Sequence, residues 1–156
     1  MVSERIRRLD VAGFSLIELT VAIAIIGILV AIGVPFVTTY YQAMVLKSAA
    51  DEMVTILNSA RYQAIKQNTS MCVALSGAKV QYLVGGCGGA AWKGVGTDST
   101  GLITLQNTMQ MSGATASVVF TNLGAASTGG TYTVKNPVNG KTLTVTVAGS
   151  GRITIP

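Results

Sequence analysis

Histidine is absent from the 156 residues. Any mechanism that needs an imidazole base or a histidine-ligated metal is therefore excluded from the start. Charge is scarce as well: Asp, Glu, Lys and Arg make up 11% of the chain, about half the share of an ordinary soluble domain. That excludes a charged disordered tail, a Lys/Glu-rich coiled coil and most freely soluble enzymes of this size. Acids are the scarcest, and beyond residue 67 only Asp98 remains. A hydrolase built on two carboxylates, or a metal site built on them, lacks its parts. The glycine clusters spell no G-x-x-x-x-G-K-[ST] motif, and Gly85–Gly89 lacks the strand-to-helix setting of a phosphate loop. The expectation is a protein that is not an enzyme, with no catalytic residue, no metal ligands and no cofactor.

What the chain does have is one apolar block. Leu19 to Leu46 carries no charged side chain, and Leu19 to Val34 is almost wholly Ile, Val, Ala, Leu and Gly. About 18 such residues are enough to cross a bilayer as a helix. A short basic stretch with Arg5, Arg7 and Arg8 precedes it. Positive residues ahead of an apolar run stay cytoplasmic, so the remainder should be exported. The plainer alternatives are an uncleaved anchor and a cleaved secretory signal. The latter needs an apolar core of about 7–15 residues and a small-residue cleavage site, which Gly33 to Val37 does not supply.

Glu18 breaks the pattern as an isolated carboxylate at the head of the apolar run. The simplest reading places it at the helix N-terminus, where negative charge is mildly favoured. An acid in lipid is costly, however, and usually marks function. A cut after Gly13 would leave Phe14 with a free amino group, and a neighbouring copy could offer that cation to the carboxylate.

The run Gly13-Phe14-Ser15-Leu16-Ile17-Glu18-Leu19-Thr20 resembles the processing site of type IV pilins and pseudopilins. The resemblance implies that prepilin peptidase removes residues 1–13 and methylates the Phe14 amine, and that Glu18 neutralises that amine on an adjacent subunit. It also implies roles in assembly for Gly27 and Pro35. Proline removes an intrahelical bond and interior glycine weakens a helix, whatever the family. The implied partners are other pilin or pseudopilin subunits, the peptidase, the inner membrane and the assembly platform. The implied location is the inner membrane, with a single pass and a periplasmic head, and then a periplasmic or extracellular filament.

Three segments are expected: a leader over 1–13, a helix over 14–67 and a β-rich head over 68–156. Within the helix, 14–35 suits membrane and filament core, whereas 36–67 is amphipathic. Ala43, Leu46, Ala50, Met53, Leu57 and Ala64 form its apolar stripe. After Asn68 the period shortens. Runs at 71–75, 80–84, 102–105, 117–120, 131–134, 142–147 and 152–155 read as strands punctuated by glycine. Asn139-Gly140 reads as a two-residue type I′ hairpin turn, which needs positive φ at both positions. Thr142, Thr144 and Thr146 alternate with Leu143, Val145 and Val147, predicting one wet and one buried face. The fold class is α+β, a long helix packed on a mostly antiparallel sheet head, the pilin fold.

Cys72 and Cys87 are the only cysteines. In an exported domain they favour a disulfide that staples the glycine-rich loop, worth roughly 3 kcal/mol for a loop of this length; free buried thiols are the alternative. Ala60–Asn68, Met71-Cys72-Val73, Trp92-Lys93-Gly94, Val119–Gly124 and Ala148–Ile153 resemble the helix end and strands of the GspH/FimT family. Trp92 is open between core, loop anchor and exposed contact. This resemblance implies a minor pilin or pseudopilin at or near a filament tip, in a type IV pilus or a type II secretion system. It also implies a second function class, DNA binding during uptake for natural transformation. Gly151-Arg152 matches the first half of a Gly-Arg-x-Arg pattern, and Thr154 stands where the second arginine would be. Lys141 and Arg152 are the residues that would contact DNA; solvated lysines keeping a β domain soluble are the plainer reading.

Overall fold

The computed structural model describes residues 13–156; the leader up to Ala12, with Arg5, Arg7 and Arg8, lies outside them. Helix α1 runs over Leu16–Lys66 and contains Pro35. A proline has no N–H to give the ladder. The hydroxyls of Thr38 and Thr39 donate to the Pro35 carbonyl at 3.0 and 2.9 Å, local bonds of the kind these side chains make inside helices. The chain divides into two units at Thr39/Tyr40. In the first, the most apolar 18-residue window has a mean hydropathy of 2.7 and none of it is buried. That stretch is long and apolar enough to cross a membrane.

In the second unit α1 buries Leu46, Ala49, Ala50, Met53, Ile56, Leu57, Ala60 and Ala64. The spacing of three and four keeps them on one face. Four are alanines, small residues on the face that the head covers. Ala43, expected in the stripe, is exposed, because the buried face begins only at Leu46. The helix end is defined by Asn68 at φ 49. Thr69 N donates to Ala64 O at 3.1 Å and Asn68 N to Ile65 O at 3.2 Å, the paired bonds of a Schellman cap.

Ten strands follow: β1 Met71–Ser76, β2 Lys79–Val84, β3 Ala90–Ala91, β4 Leu102–Ile103, β5 Gln110–Ala114, β6 Val118–Phe120, β7 Ala126–Thr128, β8 Gly130–Lys135, β9 Thr142–Val147 and β10 Ile153–Thr154. They form two antiparallel sheets. One has the order β3-β2-β1-β6-β7, with β4 also on β2; the other has β10-β9-β8-β5. The alternation expected of β9 holds: Val145 and Val147 are buried, and Thr142 is exposed.

The hairpin between β8 and β9 differs from expectation. Its last pair is Lys135↔Thr142. Asn136 N donates to Lys141 O and Gly140 N to Asn136 O, both at 2.9 Å. Gly140 has φ 71, and Asn139 is not among the positive-φ residues, so the turn is not type I′. Pro137, with its fixed φ, opens a four-residue loop instead, and the Asn136 carboxamide oxygen accepts the Val138 N–H at 2.9 Å.

Two buried tyrosines join the layers. Tyr82 on β2 donates its hydroxyl to Ile56 O of α1 at 2.7 Å. Tyr132 on β8 donates to Val73 O on β1 at 2.6 Å and accepts the Val118 N–H at 3.0 Å. Tyr132→Phe removes the bridge to both buried backbone groups, a cost of about 1–3 kcal/mol, read as a lower denaturant midpoint at unchanged slope. Burial pushes the Tyr132 hydroxyl up to about 12 and the Tyr82 hydroxyl up as well. A group whose folded-state value is raised contributes stability below its unfolded value near 10 and loses it as pH rises toward 12. Thermal melts should therefore be level to about pH 9 and fall steeply between 10 and 12.

Candidate functional site

The N-terminal residues singled out from the sequence are strung along one element. Gly13 and Phe14 precede α1, and Phe14 is 85% exposed. Glu18 lies in the first turn, where the unpaired N–H groups of a helix favour a carboxylate. Gly27 has no atom near the place of a Cβ. At 1.5 Å per residue, Gly27 lies about 13 Å and Pro35 about 25 Å beyond Glu18 along the helix, so the structure does not gather them into a cluster. They share an environment: Ile17, Leu19, Ile23, Ile26, Leu29 and Ile32 around them are all more than half exposed. An exposed apolar surface of that extent needs lipid or other helices against it.

In the head, Cys72 and Cys87 form a disulfide with Cα atoms 5.0 Å apart. Cys72 sits on the buried strand β1 opposite Leu83, and Cys87 in the turn after β2, so the bridge pins that turn to the middle of the sheet. A side chain at Gly89 would run into the Val84 carbonyl, and Gly85 and Gly86 take positive φ, so three positions of this turn favour glycine.

Trp92 is half-buried, with its ring centroid 5.7 Å from that of Tyr82. The two rings floor an open groove of about 1110 Å³, walled by Ile56, Tyr62 and Lys66 of α1 and rimmed by the fully exposed Val95. A Cβ at Gly94 would overlap the indole, so the Trp-Lys-Gly sequence folds its glycine over the ring. Glu52, the acid of this groove, accepts the Gln106 N–H at 3.0 Å.

The head cations are dispersed. Among the described residues one ion pair is present, Lys79 to Asp98 at 3.6 Å. The Thr100 hydroxyl and the Leu102 N–H, more than Lys79, hold the Asp98 carboxyl down at about 2. Lys141 and Arg152 do not come together. Lys141 precedes β9, whereas Arg152 lies past its far end, its carbonyl accepting the Ala148 N–H at 2.9 Å. That is a strand length of roughly 20 Å.

Two anchoring contacts were not evident from the sequence. Half-buried Arg61 reaches Gly151 O at 3.4 Å. Gly151 itself has φ 81, and a Cβ there would press on the Gly124 carbonyl and the guanidinium. Fully buried Asn136 donates its amide to the Gln42 side chain at 2.8 Å. The sequence cues were a glycine next to each turn and an amide beside proline, too common to single out.

Comparison with known proteins adds three findings. Residues 49–151 match the family profile "Type II transport protein GspH", and residues 8–34 match the "Prokaryotic N-terminal methylation motif". Among solved structures, the chain is similar to the minor pseudopilin EpsH of the Vibrio cholerae type 2 secretion system, at 15% identity and TM-score 0.54, covering 71% of this chain and 95% of that one. It also resembles the Pseudomonas aeruginosa type IV minor pilin FimU, at 21% identity and TM-score 0.49, covering 71% and 87%. No curated protein matches the chain.

Proposed function

Because this chain belongs to the GspH family of type II transport proteins, a family of pilin-like structural subunits, we propose that it is a scarce subunit at or near the tip of a pseudopilus or type IV pilus. The observation that carries this reading is the pairing of an unburied apolar helix with a methylation motif over residues 8–34. Such a helix can be stored in the inner membrane and then packed against others. The likeness of the head to a minor pseudopilin supports a low-copy subunit over a bulk one. The peptidase would cut after Gly13 and methylate Phe14, the assembly platform would extract the chain, and the head would stand in the periplasm or outside the cell. The groove beside Trp92 and the exposed Leu123, at 86%, are then surfaces for neighbouring subunits. The test is deletion with complementation. Loss of surface piliation or of secretion, restored by the intact chain, supports the reading; unaltered filaments and secretion contradict it.

The second reading is capture of DNA by such a subunit. Its support is Arg152, exposed and one residue past a glycine as the family pattern has it. The separation of Lys141 from Arg152 makes them two independent contacts on one duplex. If the reading holds, R152Q and K141Q each weaken DNA retardation in a gel and flatten its salt dependence by about one contact.

A further inference from the structure

The loop between β8 and β9 has a composition that the filament reading leaves unused. It reads Lys135-Asn136-Pro137-Val138-Asn139-Gly140-Lys141, with Val138 at its tip 71% exposed and both lysines exposed. It is held in place. Buried Asn136 bonds to Gln42 of α1 and caps the Val138 N–H, and Val138 lines a hollow with Tyr41 and Val45. On the helix beside it, Tyr40, Tyr41 and Met44 are more than half exposed, and Lys47 is exposed. No acid occurs in 107–109 or 130–148, and on the helix the exposed Asp51 lies one turn past Lys47, so the loop itself is apolar at its tip and positive at its two lysines.

Residue count places it relative to a bilayer. A span of about 20 residues that begins at Leu19 ends near Thr38, and Tyr40 and Tyr41 follow directly. Paired tyrosines just past a span are the amphipathic residues that settle among headgroups. Gln42, which holds the loop, comes next. We propose that the Lys135–Lys141 loop is a membrane-surface contact: while the subunit is stored in the bilayer, Val138 dips into the headgroup layer, and Lys135 and Lys141 lie on anionic phospholipid phosphates. Complementarity of charge chooses this occupant, because lysines attract anionic lipid within a Debye length and no acid occurs in the loop or in the strands that carry it. The contact orients the head against the membrane and is given up when the helix leaves the bilayer for a filament. The inference rests on the membrane-anchored reading.

The test uses the full chain reconstituted into vesicles of phosphatidylcholine alone or with phosphatidylglycerol, carrying a fluorophore at one introduced cysteine. V138C reports the loop, I28C the span and L123C the Arg61 end of the head; headgroup-level spin-labelled lipid is the quencher. V138C should be quenched several-fold more than L123C in anionic vesicles, with the difference lost in about 1 M salt. In K135Q/K141Q it should shrink by roughly fivefold per lysine in the population at the surface, with the melting temperature unchanged. If I28C is protected by lipid while V138C is quenched no more than L123C, the proposal fails and the anchor stands. If I28C stays in water, both fail. If the double variant lowers DNA binding but not V138C quenching, these lysines serve DNA and the lipid proposal is overturned.

Discussion

Glu18→Gln subunits are expected to reach the membrane at normal levels and to enter filaments at less than a tenth of the normal amount. The exchange keeps the size and the helix while removing one charge. Among the described residues Glu18 stands alone as a charged side chain ahead of Lys47. If it serves only the partial positive charge of its own helix end, its loss costs about 0.3–1 kcal/mol and assembly barely alters. If it neutralises the Phe14 amine of a neighbour, the variant leaves that cation unpaired among apolar helices. A charge at the bilayer centre costs about 2.5–3.5 kcal/mol on insertion scales, enough for a loss well beyond tenfold. Quantifying subunits in sheared filaments against membrane levels separates the two. Incorporation within twofold of wild type would leave only the helix-end role.

Removing the disulfide as Cys72→Ala/Cys87→Ala should lower the stability of the head by about 3 kcal/mol or more. Closing a loop of about 15 residues removes that much chain entropy from the unfolded state. Cys72 is also fully buried, so its truncation leaves space in β1. For a head of this size the melting temperature should drop by roughly 10–20 °C, and reductant should shift the wild-type protein alike. An unmoved melting curve under reductant would mean that the Gly85–Gly89 turn is held without the bridge.

The parts of this molecule that could be read from sequence are those whose cause is local. The apolar run and its lone acid announce the N-terminal half of α1, and alternation in Thr142–Val147 announces β9. The change of period after Asn68 coincides with an αL cap at that residue. Strands β3, β5 and β7 escaped because Ala90–Ala91, Gln110–Ala114 and Ala126–Thr128 carry small or polar residues and are strands only by virtue of their neighbours. The Asn139-Gly140 signal misled because Pro137, two residues earlier, sets a longer loop. Distance in the chain hid the rest. Arg61 meets Gly151 across 90 residues, and Gln42 meets Asn136 across 94, and no periodicity reports such pairs. Glycines at 124 and 151 are legible as turns, but that a guanidinium fills the space between them is not.

The two-sheet arrangement also alters how the candidate site residues are grouped. Lys141 and Arg152 look equivalent as sparse cations near the end of the chain. The register of β9 with β8 and β10 assigns them to opposite ends of the head, Lys141 with Gln42 and Arg152 with Arg61. They therefore stand at different ends of the head.

Intact mass and N-terminal sequencing of the chain recovered from sheared filaments decide whether it is a processed, pilin-like subunit. The expected polypeptide starts at Phe14, carries one added methyl on its amine and has Cys72 bonded to Cys87. Recovery only from membranes, with residues 1–13 still attached, would contradict that reading.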